Sequence, residues 1–128
     1  MKANINVIEK PVPFEFMGVT YPLKMTWNVE AEIAERFGDI GQAFDGGKSM
    51  KNMLEVLAML INESVDIHNE ISPKDMWTHL DARYIGRHLD HNDAERIAGA
   101  VTQTILNSHP ESAEEELTDD EKNGAPSR

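Results

Sequence analysis

From Phe14 to Met25 the chain alternates. Phe14 and Phe16 flank Glu15; after Met17-Gly18, the residues Val19, Tyr21, Leu23 and Met25 flank Thr20, Pro22 and Lys24. Period two marks half-buried strands, and the glycine between them predicts a hairpin turning at Gly18. Pro22 has no N–H to give to a ladder, so its strand lies at an edge. The period then lengthens to that of a helix. Val29, Ile33, Ala34 and Phe37 share one face, Thr26 or Asn28 supplies a cap, and Gly38 stands just past the end. Glu30, Glu32 and Glu35 fall on the outside. Asp39 to Phe44, with Ile40 and Phe44, reads as a further helical turn or a loop, and Asp45-Gly46-Gly47 is a break. Ser49 caps a long helix from Met50 to about Asn69. Its positions Met50, Met53, Leu54, Leu57, Leu60, Ile61 and Ser64 or Val65 follow the i, i+3, i+4, i+7 rule, and Val56 and Met59 widen the stripe, as expected of a central helix. Ser72-Pro73-Lys74-Asp75 reads as a cap, a proline at the first helical position and an acid three residues on. It predicts a helix carrying Met76, Trp77, Leu80 and Tyr84 that ends near Gly86. A last helix starts at Asp90 or Asn92, carries Ala94, Ile97, Ala98, Val101 and Ile105, and ends before His109-Pro110.

Two strands alone are marginal and must pack on something. The expected fold is therefore α+β, mainly α: about four helices with an N-terminal two-stranded β-hairpin. The expected organisation is an extended N-terminal segment over 1–13, one globular domain over 14–110 and a disordered acidic tail over 111–128. The tail reading rests on charge. Residues 111–128 hold seven acids, two bases and one large apolar residue, Leu117, too little burial to offset the entropy of ordering.

Composition narrows the function classes. The 128 residues include no cysteine, which excludes a disulfide framework, a thiolate zinc site and a cysteine nucleophile. The net charge of −11 with scattered bases argues against a nucleic-acid reader, which neutralises phosphates with clustered Lys and Arg. The longest apolar run, residues 56–61, is far short of the roughly 20 residues that span a bilayer, and no secretory signal opens the chain. A cytoplasmic protein with neither membrane nor nucleic-acid partner is expected.

Candidate chemistry is sparse. His88-Leu89-Asp90-His91 has two histidines at i and i+3 with a carboxylate between, but Asp90 already suits a helix cap and no other ligand is tied to the set by spacing. Gly47-Lys48-Ser49 ends like a phosphate loop, yet Gln42 and Ala43 stand where that loop needs its leading glycine. No catalytic residue, metal or cofactor is assigned. Seven methionines are more suggestive, because flexible thioethers suit re-packable binding surfaces as well as cores. Met50, Met53, Leu57 and Met59 on the long helix are candidate partner contacts. Trp77 and Tyr84, seven residues apart on one expected helix face, are a further aromatic pair of the kind that anchors interfaces.

The order of these elements resembles a known family. The hairpin opening Phe16-Met17-Gly18-Val19-Thr20-Tyr21-Pro22-Leu23, the acid-rich helix from Thr26 closing on Phe37-Gly38, the long middle helix and the Ser/Thr-capped segment after it are similar to the small tail assembly chaperones of bacteriophages and prophages. The match covers roughly residues 14–107 and is one of pattern and order; Pro22 and Trp27 depart from it. The resemblance implies a non-enzymatic protein of the bacterial cytoplasm that binds the tape-measure protein, and often the tail-tube protein, while the tail is built. Self-association through the hairpin edge is a further expectation. The residues leave alternatives open: another small phage structural or head/tail-completion protein, an acidic DNA-mimic inhibitor, or a small hydrolase or metal-dependent enzyme using His88, Asp90 and His91.

Overall fold

The computed structural model describes residues 10–39 and 50–108. Strands β1 (Val12–Phe16) and β2 (Val19–Leu23) pair antiparallel through the two-residue turn Met17-Gly18. Both turn residues have positive φ, 55° and 82°, as the tight turn that matches strand twist requires. β1 opens at Val12, so the last two residues of the expected N-terminal extension belong to the hairpin. Phe14, Phe16, Tyr21 and Leu23 face inward and are buried, while Pro13, Glu15, Thr20 and Pro22 face out.

Pro13 pairs with Pro22. Phe16 and Val19 close the turn as a hydrogen-bonded pair, so alternation makes the proline pair a non-bonded one. Neither proline removes a bond from the ladder, and each removes a donor from an outer edge. On β1 the Glu15 carbonyl is also occupied, by Arg96 Nη1 at 2.7 Å. These edges are blunted against β-pairing with a second copy.

Helix α1 (Trp27–Phe37) is capped as the sequence predicts: Thr26 Oγ1 accepts from the Val29 N–H, and Gly38, at φ 97°, donates to the Ala34 carbonyl. The same Thr26 hydroxyl donates to Glu63 Oε2 at 2.8 Å and so fastens the start of α1 to the long helix α2 (Met50–Ile71). Short helix α3 (Ala82–Arg87), a 3-10 turn (His91–Asp93) and helix α4 (Ala94–Ser108) complete the described elements. Helix α2 is central, touching β2, α1, α3 and α4. Its Val56, Leu57, Leu60, Ile61 and Val65 have no exposed surface and pack with Phe14, Leu23, Val29, Ile33, Ile85, Ile97 and Val101. The buried hydroxyls are satisfied locally: Ser64 donates to the Ile61 carbonyl and Thr104 to that of Ala100.

Four α-helices and an N-terminal hairpin among the described residues are the expected fold class. One element differs. Ser72-Pro73-Lys74-Asp75 does not start a helix. It forms a turn that ends α2, with the Asp75 N–H on the Ser72 carbonyl at 3.0 Å, and the chain runs non-helical to Asp81. Serine first and proline second suit a β-turn as well as they suit a helix start. What decides between them lies on α2. Asn69 Oδ1 accepts from the Trp77 N–H at 2.7 Å, and Asn69 Nδ2 donates to the Trp77 carbonyl. Asn62 treats Leu80 the same way, at 2.8 and 2.6 Å. Seven helical residues advance about 10.5 Å, and three extended residues about 10 Å, so the brackets fit an extended strap running back along α2. The helix cap is instead Asp81, which accepts from the Tyr84 N–H. The reciprocal capping pair is Asp90 with Asp93. The 40–44 segment, the Ser49 cap, the phosphate-loop-like Gly47-Lys48-Ser49 and the acidic tail lie outside the described residues.

Candidate binding surface

The six candidate contacts do not share a face. Leu57 has no exposed surface and belongs to the core, a correction that follows from its position at the centre of the α2 stripe. Met53 is half-buried against the core. Met50 is 48 % exposed and borders an apolar depression of about 380 Å³ with Leu54, Leu89, Ala94 and Ile97. Met59 is half-buried in a different place, the groove between α1, α2 and the strap.

Trp77 and Tyr84 are separated because the helix expected to carry both is absent. Trp77 lies in the strap, stacked on His68 at 3.7 Å and edge-on to Tyr21 at 5.2 Å. His68 Nε2 donates to the Asp75 carbonyl at 2.7 Å, so ring and turn hold each other. Tyr84 lies on α3, edge-on to Phe16 and tilted against His88 at 4.8 Å. Burial, with the Tyr84 phenol adding to it, pushes the Tyr21 hydroxyl above its ordinary value of 10.0.

The histidine cluster does not converge. Asp90 is engaged as a cap, accepting from the Asn92 N–H at 2.9 Å. His88 faces Tyr84 and Phe16, and His91 begins the 3-10 turn. Among the described residues no group of three or more His, Cys, Asp or Glu is placed to hold a metal ion. Nor is any described helix long and apolar enough to cross a membrane.

A groove of about 820 Å³ opens between α1, α2 and the strap. Ala58, Met59, Leu80 and Ala82 supply its apolar lining; Glu32, Glu35, Glu55 and Asp81 supply carboxylates, against the cations of Arg36 and, when protonated, His79. Arg36 Nη2 lies 2.7 Å from both oxygens of Glu55 and Lys51 approaches at 3.4 Å. Glu55 Oε1, sealed from water, meets Arg36 as an ion pair but receives no well-directed hydrogen bond among the described residues. At the rim His79 donates to Asp66 Oδ1 at 2.7 Å.

The most exposed large apolar residues among the described ones are not among the candidates. Trp27 is 90 % exposed, Ile71 76 % and Met76 65 %. Trp27 was legible: its i+3 and i+4 neighbours are Glu30 and Ala31, off the Val29–Ile33 stripe. Beside it, Lys10, Lys24, Leu23 and Met25 line a smaller depression of about 320 Å³. Ile71 and Met76 flank the Ser72–Asp75 turn, and their exposure follows from the strap. Compared with protein-family models, curated proteins and solved structures, the chain finds no match.

Proposed function

We propose that this chain is a non-enzymatic tail assembly chaperone of a bacteriophage or prophage, acting in the bacterial cytoplasm on the tape-measure protein, the tail-tube protein or both. The observation that carries the reading is the exposure of large apolar side chains on a strongly acidic chain. Trp27, Ile71 and Met76 are each more than half exposed. Large apolar side chains left in water are available to a partner. A tape-measure protein is long, helical and apolar along one face, and would aggregate alone; the net charge of −11 keeps a complex with it dispersed. The order of hairpin, acid-rich helix and long central helix supports the same family.

The test is co-expression with the long open reading frame downstream in the source genome. The expected result is that an otherwise insoluble helical protein becomes soluble and co-purifies with this chain. A downstream product that is soluble alone and does not bind this chain would overturn the proposal.

A further inference from the structure

We infer that the groove between α1, α2 and the strap docks a basic amphipathic helix of another protein. Its small apolar residues lie on Ala58, Met59 and Leu80, and its Lys or Arg side chains lie against Glu32, Glu35 and Glu55. The inference rests on the binding-protein reading above and adds the chemistry of one segment of the partner and the place where that segment sits, separate from the partner's contact with exposed Trp27. Three observations on the groove lead to it.

The first is its lining. A floor of small and flexible apolar side chains from α2 and the strap is flanked by carboxylates from α1, α2 and the start of α3, with Arg36 as the one permanent cation in the lining among the described residues. An apolar floor with charged edges is the pattern that receives the apolar stripe of an amphipathic helix and the opposite charges beside it. Glu32 and Glu35 are exposed on α1, beside the buried Val29–Ile33 face that packs on the core.

The second is the state of Glu55. Its side chain is only 16 % exposed, and a single nitrogen of the half-exposed Arg36 serves both of its oxygens. Lys51 also reaches Oε2, at 3.4 Å, but Oε1, although in ion-pair contact with Arg36, receives no well-directed hydrogen bond among the described residues. An incoming Lys or Arg that joins this ion pair supplies one.

The third is preorganisation. One wall of the groove is the strap, and Asn62, itself a lining residue, pins that wall at Leu80 with two hydrogen bonds. The partner therefore meets a formed wall and does not have to order it. The Trp27 depression, by contrast, is bordered by Lys10 and Lys24 and does not match a basic helix.

The probe is an amphipathic model helix of lysine and leucine, about 18 residues or five turns long, titrated into the full, isotope-labelled chain and followed by amide and methyl NMR shifts. Its counterpart with glutamate in place of lysine is the control. The expected result is saturable shifts at Glu32, Glu35, Ala58, Met59 and Leu80 with the lysine helix alone. The double variant E32K/E35K weakens binding about tenfold or more at low salt. The variant E70K/E95K, which changes net charge equally at exposed positions away from the groove, changes it less than about twofold. Circular dichroism confirms that both variants are folded. Shifts centred on Trp27 or Met50, equal weakening by the two double variants, equal binding of the glutamate helix, or no saturable binding would each overturn the inference. Co-expression separates this from the chaperone reading. If the downstream protein is held while the shifts fall elsewhere, only the groove assignment fails. If the model helix docks in the groove while that protein is ignored, only the chaperone reading fails.

Discussion

Asp93 ties the entry of α4 to the hairpin. Its Oδ2 accepts from the Asp90 N–H at 3.0 Å and its Oδ1 from Arg96 Nη2 at 3.3 Å. Arg96 in turn donates to the Glu15 carbonyl and lies 4.4 Å over the ring of Phe14, a fully buried residue of β1. Guanidinium over an aromatic face is attractive in its own right, so one carboxylate orients a contact that joins the last helix to the first strand. The Asp90 N–H holds the Asp93 carboxyl below its ordinary value; desolvation, the next largest effect, opposes it, and Arg96 adds to the lowering. The sign follows. A carboxyl lowered in the fold stabilises it at pH above the unfolded value, about 3.9. That contribution is lost as pH falls through this value and then through the lower folded one. Asp93→Asn keeps an oxygen for the cap but loses the ion pair and the titration. Thermal melts across pH 2–7, a range of about five units, are expected to show a lower melting point at neutral pH and a shallower acid limb than the parent. Parallel acid limbs would show that Asp93 does not carry the dependence.

At the level of elements, the decisive feature is a polar line on an apolar helix. Asn62, Asp66 and Asn69 lie at i, i+4 and i+7 on α2, and they hold Leu80, His79 and Trp77 in antiparallel order. Asn69→Ala leaves the Trp77 N–H and carbonyl without their partners in a partly buried place, a cost of about 1–3 kcal/mol. Urea unfolding is expected to show that loss. In a Trp27→Phe background the remaining Trp77 emission is expected to shift toward that of exposed indole before the main transition. Asn69→Asp keeps the acceptor for the N–H and should fall between the two. Unchanged Trp77 emission in Asn69→Ala would mean that the stack on His68 and the contact with Tyr21 suffice to hold the strap. This element also separates what the sequence displays from what it conceals. The hairpin, α1, α2 and α4 are legible because each is set by local signals: period two around Gly18, the Thr26 cap with its Gly38 stop, the unbroken α2 stripe, the Asp90 cap. The strap is set by residues 8 and 18 positions away in the chain, and the local signal at Ser72-Pro73 fits a turn equally well. Read as an i, i+4, i+7 line, Asn62, Asp66 and Asn69 do announce that a backbone is to be bound there, but not which one. The same holds for the site: pairing Trp77 with Tyr84 requires a helix that does not form, and the groove has the strap as one of its walls, so no local signal marks either.

For the molecule as a whole, the question is which apolar residues serve the fold and which serve a partner. Leu57 and Trp27 mark the two extremes. Leu57 has no exposed surface and sits where α2 packs into the core, whereas Trp27 is 90 % exposed at the first position of α1. Leu57→Ala removes buried methyl groups and leaves a cavity, a loss of about 2–5 kcal/mol. That is a large fraction of the roughly 5–15 kcal/mol by which a domain is stable. Trp27→Ala removes few contacts from the fold, and its cap neighbour Thr26 keeps both hydrogen bonds, so the change in stability is expected within about 0.5 kcal/mol. Binding should divide the other way. An exposed indole that anchors a partner is worth about 2 kcal/mol or more when truncated, so Trp27→Ala should keep the parent melting point and yet retain far less of the co-expressed downstream protein on affinity resin. Leu57→Ala should lose that protein only in proportion to the unfolded fraction, and cooling to a temperature where the variant is folded should restore capture. If Trp27→Ala retains the partner fully, the exposed indole is not a contact. If Leu57→Ala fails to capture it even when melts show the variant folded, the core and the binding surface are less separate than their burial implies, and α2 itself must shift when the partner binds.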